Sequence, residues 1–146
     1  MFRFMEKKIN KIYIAGALTH VGSKPREIYG KIGKICREFS REVFNPHVDG
    51  MCPVKNPEVT PDEVWKNEEG HVASSDIIIA YVGAPSLGTG GEIEIARMNN
   101  RKIILWWFEG EKVSRFVLGN PGVKFKIEVK NEEDLYKQIN VALENL

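Results

Sequence analysis

The residues with the most chemical potential are Glu92 and the run that leads to it, Gly83-Ala84-Pro85-Ser86-Leu87-Gly88-Thr89-Gly90-Gly91. Ahead of that run, Ser75 to Val82 is a β-branched stretch bounded by polar residues, the pattern of a fully buried parallel strand. The Gly, Pro and Ser cluster is a loop, and from Thr89 onward the spacing is helical. Glu92 is therefore expected in the first turn of a helix that starts just past the carboxyl end of a strand, the rim where open parallel sheets bind ligands. The amides and dipole of a helix start favour an ionised acid there, the form that a carboxylate nucleophile needs. The glycines leave bare backbone beside the acid, which suits a ligand pressed against the chain. Thr89-x-x-Glu92 also has the spacing of a capping box, in which the acid bonds back to its own main chain and does no chemistry. A dinucleotide fingerprint is excluded, because Ile93 stands where its third glycine is required.

Other polar clusters offer less. His47, Asp49 and Cys52 are close in sequence, but their spacing matches no zinc pattern, so neither a metal nor a cofactor is expected. Cys36 and Cys52 give no disulfide framework, and Cys36 lies in a helical pattern that buries it. Across 146 residues the net charge is +1 with 28% charged residues, and the 21 basic side chains are interspersed with acids. That balance argues against a nucleic-acid or anionic-membrane surface. No apolar run approaches a membrane span, and Met1 to Lys8 lacks the apolar centre of a signal peptide. A cytoplasmic protein with a small-molecule substrate is the expectation.

Strands and helices alternate along the whole chain. Lys11 to Leu18, Glu42 to Phe44, Ser75 to Val82, Lys102 to Phe108 and Val123 to Val129 read as strands. Helical periodicity runs from Arg26 to Phe39, where Ile28, Ile32, Ile35, Cys36 and Phe39 fall on one face. Thr60-Pro61-Asp62-Glu63 opens a helix that reaches about Ser74, and Asn131 caps a closing helix with acids in its first turn. A short helix is expected near Val113 to Leu118, and a long loop between Asn45 and Thr60. Trp106 and Trp107 are adjacent in a strand and so face opposite sides of the sheet, one of them into the core.

Such alternation forces parallel strands with helices on both faces. The fold class is therefore α/β: one domain over 1–146, a flavodoxin-like three-layer sandwich with five parallel strands ordered 2-1-3-4-5. Its switch point lies between the first and third strands, which sets the loops after Leu18 and Val82 side by side.

The segment Asp76 to Ala96 resembles the signature of the nucleoside 2-deoxyribosyltransferase superfamily. It is most similar to the branch of 2′-deoxynucleoside 5′-phosphate N-hydrolases, whose loop reads Pro-Ser-Leu-Gly-x-Gly-x-Glu-Leu-Gly-x-Ala. Pro85, Ser86, Leu87, Gly88, Gly90, Glu92 and Ala96 match, and Ile93 is a conservative variant. Glu94 replaces a family glycine, and Gly91 its usual aromatic. The resemblance implies the same flavodoxin-like fold. It also implies cleavage of a base–sugar bond in a (2′-deoxy)nucleoside or its 5′-monophosphate, either by hydrolysis or by exchange of one base for another.

In that family Glu92 would be the nucleophile that traps the cationic sugar. An acid two turns before the third strand would assist the leaving base, which falls on Glu68 with Glu69 one residue away. Tyr13, three residues before Gly16 in the first strand, corresponds to a tyrosine that touches the nucleophile or the sugar. Ser86, with Gly16, Gly88 and Gly90, would contact substrate. Ser114 corresponds to a serine that enters the neighbouring subunit's site, so a homodimer is implied. The bland alternatives are a solvated helix acid for Glu68, a core tyrosine for Tyr13, a turn serine for Ser86 and a helix cap for Ser114. The family's phosphate loop, Gly-Ser-Ile-Arg-Gly-Gly-Arg, has become Gly16-Ala17-Leu18-Thr19-His20-Val21-Gly22, leaving His20, Lys24 or Arg26 to supply its charge. The same scaffold without catalysis, a nucleotide-binding module, is the alternative from another class.

Overall fold

A computed structural model describes residues 6–19, 21–52 and 55–146. In chain order the elements are β1 (Ile9–Ala15), α1 (Ser23–Phe39), β2 (Ser40–Phe44), α2 (Pro46–Asp49), α3 (Pro61–Ala73), β3 (Ile77–Tyr81), α4 (Leu87–Met98), β4 (Lys102–Phe108), α5 (Arg115–Leu118), β5 (Val123–Val129) and α6 (Glu132–Glu144). The five strands form one sheet in the order β2-β1-β3-β4-β5, and every pairing is parallel. The expected α/β architecture and strand order are therefore observed.

The strands form because both of their faces are buried. All five residues of β3, Ile77 to Tyr81, are inaccessible, the near-continuous apolar run that a central parallel strand requires. Alternation along the strands then builds two cores. On one face Ile12, Ile14, Ile77, Ile79, Ile104 and Trp106 pack under α1 and α6 with Tyr29, Ile32 and Leu135. On the other Tyr13, Ala15, Ile78, Ala80, Ile103 and Leu105 pack under α3 and α4 with Val72, Ile93 and Ala96. Trp106 is fully buried on the first face, while the half-buried Trp107 leans on the second, as their adjacency requires.

Helix starts follow local chemistry. Thr60 and Glu63 make a reciprocal capping box with Pro61 in the first turn of α3, and Asn131 accepts from the Asp134 amide to start α6. Several boundaries differ from the sequence expectation. α1 begins at Ser23, not Arg26. Between β2 and α3, where a loop was expected, Asn45 caps the short α2 by accepting from the His47 amide, with Pro46 preorganised for the first helical position. β1 stops at Ala15 rather than Leu18, since the Ala17 carbonyl accepts the Tyr29 hydroxyl at 3.0 Å in place of a continued ladder.

Candidate active site

β1 lies between β2 and β3 in the sheet, so the chain leaves its two central strands on the same rim. The loops that follow them enclose a cavity of about 550 Å³ lined by Gly16 to Thr19, Val21, Pro46, Glu68, Ala84 to Thr89 and Glu92. That volume suits a small ligand. The first loop is tied from the α1 side. The Arg26 guanidinium donates to the carbonyls of Leu18 at 3.1 Å and Val21 at 3.3 Å. Gly16 passes directly against the Tyr29 ring, where any Cβ would collide with the phenol. A glycine is needed there for packing, whatever it does for a ligand.

α4 starts two residues earlier than expected. Ser86 is its cap, accepting from the Thr89 amide at 3.1 Å, so Thr89 is inside the first turn and Glu92 falls in the second. The capping box Thr89-x-x-Glu92 is overturned: the Thr89 hydroxyl bonds nothing among the described residues, and Glu92 is not turned back on the cap. Its carboxyl faces the loop cavity and also a second cavity of about 400 Å³ between α3 and α4. Burial works against the ionised acid that a helix start would favour. Glu92 is 8% exposed. Burial pushes its carboxyl up to about 8, the Tyr13 phenol pulls against that rise, and the nearby Glu68 adds to it. A helix dipole contributes about 0.3–1 kcal/mol and fades within one turn, too little and too distant to offset desolvation.

Glu68 comes from α3 and lines both cavities beside Glu92, whereas Glu69 lines only the one between the helices. Partial burial raises the Glu68 carboxyl. Tyr13, on β1, is completely buried beneath the pair, and desolvation with the two nearby acids holds its phenol well above the usual tyrosine range. Although Tyr13 Oη lies near the Glu92 carboxyl, it makes no hydrogen bond of good geometry. Tyr13 Oη, Glu92 Oε2 and Thr89 Oγ1 are all buried without a partner among the described residues. Buried polar atoms are paired in roughly nine cases of ten. Several unpaired atoms around one acid mark a place built for something other than the chain itself.

The remaining expected residues divide between two places. Ser86 and Gly88 line the loop cavity. Gly90 and Ser114 do not. They border a third cavity of about 400 Å³ on the far side of α4, with Lys112 and Val117. Ser114 also caps α5, accepting from the Val117 amide at 3.4 Å. Two candidate phosphate cations are otherwise engaged: Lys24 pairs with Glu132 at 2.7 Å, and Arg26 holds the loop carbonyls. His20, the third, lies outside the described residues. Near the rim, His47 Nδ1 lies 3.2 Å from Cys52 Sγ, while Asp49 turns away to accept from the Asn45 amide at 2.9 Å. Arg26, expected as a phosphate cation, braces the first loop instead, and Thr89, expected as a cap, lies inside the helix. One site feature escaped the sequence reading. Trp65, 58% exposed on α3 and lining the inter-helix cavity, had a signal: a large aromatic one turn before Glu68 in an otherwise polar run.

No protein-family model matches the chain. A protein of Methanosarcina barkeri with the provisional name 2′-deoxynucleoside 5′-phosphate N-hydrolase 1 is 30% identical over 117 residues, 80% of this chain and 73% of that one. Among solved structures, the CMP N-glycosidase of Clostridium botulinum superposes with a TM-score of 0.68 at 20% identity, covering 91% of this chain and 99% of that one. The 2-deoxyribosyltransferase of Bacillus psychrosaccharolyticus gives 0.63 at 19% identity, over 91% and 95% of the two chains. At such identities the two structures establish a shared fold.

Proposed function

Since the chain belongs to the 2′-deoxynucleoside 5′-phosphate N-hydrolase family, within the nucleoside deoxyribosyltransferase superfamily, we propose that it is an N-glycosidase that cleaves the base–sugar bond of 2′-deoxynucleosides or their 5′-monophosphates through a glycosyl-enzyme on Glu92. The observation that carries this reading is the pair Glu68 and Glu92, from different helices, on the wall of one cavity above the unpaired Tyr13 hydroxyl. Two carboxyls with one proton between them are what a retaining glycosidase needs.

In the first step a Glu92 carboxylate oxygen bonds to C1′ as the C1′–N bond breaks. The base leaves with the bonding pair and takes the proton of Glu68. Water then attacks C1′, releases the Glu92 carboxylate and gives a proton back to Glu68. Burial raises both carboxyls, that of Glu92 to about 8, and the reaction needs the proton the pair shares on Glu68. Tyr13 supports that placement, because a phenol beside a carboxylate favours the ionised form.

A second reading has its own support. Lys24 and Arg26 are engaged elsewhere, and Thr19 stands where the family has arginine. A cavity whose described residues lack that charge suits a free nucleoside, as the deoxyribosyltransferase branch uses, with a second base in place of water. Ser114 lies outside the Glu92 cavity of its own chain and beside Phe116, which is 92% exposed. This supports a homodimer in which Ser114 serves the partner's site. Incubation with a 2′-deoxynucleoside, its 5′-monophosphate and a labelled free base separates the readings. Free base and sugar alone mean hydrolysis, labelled nucleoside means transfer, and binding with no base released over hours would leave only the non-catalytic module.

A further inference from the structure

Lys11 on β1 has no part in the chemistry above, yet it is only 7% exposed. Taking an ammonium out of water is costly unless polar partners surround it. Its Nζ lies 2.7 Å from His71 Nδ1, 2.9 Å from Ser74 Oγ and 3.8 Å from Glu42 Oε1. An ammonium has only protons to give. His71 Nδ1 must therefore accept, and the imidazole is the neutral ring with its proton on Nε2. Ser74 caps the carboxyl end of α3, and the Ser74 and Ser75 hydroxyls donate to the His71 carbonyl at 3.2 and 2.6 Å. Lys11 thus fastens that end of the helix to the sheet, where the helix dipole favours a cation.

This node reaches the candidate site by two routes. Along α3, His71 follows Glu68 by three residues and shares its face of the helix. Across the sheet, the His71 ring stacks on Phe44 with centroids 3.7 Å apart, and Phe44 stacks on Tyr13 at 5.5 Å. Lys11 and Tyr13 are two residues apart on β1 and point to the same side of the sheet. Glu68 and Tyr13 are both tied to one ring. Resting on the N-glycosidase reading above, we propose that neutral His71, held by Lys11, is a positioning residue that fixes where Glu68 and Tyr13 stand relative to Glu92. A charged ring would set two cations against each other and release the end of α3. Burial first, then Lys11, holds the His71 ring below the usual histidine range; Glu42 on β2 and Asp49 on α2 pull the other way and are outweighed.

The test is the kinetics of base release by His71→Ala, His71→Gln and Lys11→Met. Loss of the acceptor or of the donor is expected to lower kcat about tenfold by misplacing the acid, with KM changed far less. Glutamine offers Lys11 an amide oxygen and does not titrate, so His71→Gln restores most of kcat. It also makes the acid side of the pH profile shallower, because in the wild type His71 takes up a proton there as well as the acid pair. Unchanged kcat in both His71→Ala and Lys11→Met overturns the proposal. So does a defect in KM alone, or an acid side that is the same in the wild type and His71→Gln. Should His71→Ala fail to fold, Lys11→Met, which keeps the buried stem, and His71→Gln carry the same comparison. Amide hydrogen exchange reads the node without activity: at about pH 4, α3 is expected to exchange faster in the wild type than in His71→Gln, and equal rates overturn the proposal. Failure of the wild-type protein to release any base sinks the N-glycosidase reading instead; the exchange measurement still decides whether His71 holds α3.

Discussion

The two faces of the sheet are built to different ends. Under α1 and α6 the side chains are large, and a buried hydroxyl has its partner: Tyr29 donates to Ala17. Among the described residues Trp106 Nε1 is the exception on that side, held within a cluster of rings formed by Tyr29, Tyr81 and Phe108. Under α3 and α4 several positions are only alanine, at Ala15, Ala80 and Ala96. There the equally buried Tyr13 hydroxyl has no partner among the described residues, and the acids are raised by desolvation. One face is spent on cohesion. The other gives up volume and satisfied hydrogen bonds at the end where the cavities open.

That contrast makes substitutions separable. Glu92→Gln is expected to cut base release by more than about a thousandfold, as removal of a covalent nucleophile does, while the protein stays folded; loss of the fold would mean that Glu92 is structural. On the opposite face Trp106→Ala should cost about 3–5 kcal/mol in urea unfolding, the usual loss for a buried large aromatic. The Glu92 carboxyl, at about 8 in the fold against 4.5 in the free chain, holds a proton that the unfolded chain has already lost. Stability must therefore fall as pH rises from about 4.5 to about 8. Glu92→Gln removes that dependence and should add about 3 kcal/mol at pH 7 and almost nothing at pH 4, seen as melting curves that converge in acid. Activity has the opposite slope on its acid limb. It rises with pH as the pair loses its first proton and falls as it loses the second, in a bell whose two values belong to Glu68 and Glu92 jointly. The smallest and sharpest comparison sets Tyr29→Phe against Tyr13→Phe. The first strands the Ala17 carbonyl and should cost about 1 kcal/mol. The second removes a hydroxyl with no partner, so it should leave stability level or slightly higher and slow base release; equal stability losses would erase the distinction between the faces.

The fold was legible because parallel strands buried on both sides must be continuous apolar runs, and β1, β3 and β4 are isoleucine-rich stretches bounded by polar residues. The place of the candidate cavity, beside the ends of β1 and β3, followed from strand order alone. Its electrostatics did not. Ser86-x-x-Thr89 and Thr89-x-x-Glu92 both have cap spacing, and only the packed structure decides that Ser86 starts α4. Placing the cap at Ser86 takes Glu92 from the first turn into the second, onto a wall where desolvation raises its carboxyl. Burial is a property of what packs around a residue, here Tyr13 and Glu68 from remote segments, so spacing near Glu92 carries no trace of it. Asn45-Pro46 did hold the signal for α2, an acceptor followed by proline, within what reads as a long loop.

Glu68 and Glu92 border two cavities at once. In the glycosidase proposed above, small molecules can therefore approach the pair from under the loops and from between the helices. Whatever resolves the sugar after the base has gone need not retrace the path by which the substrate came.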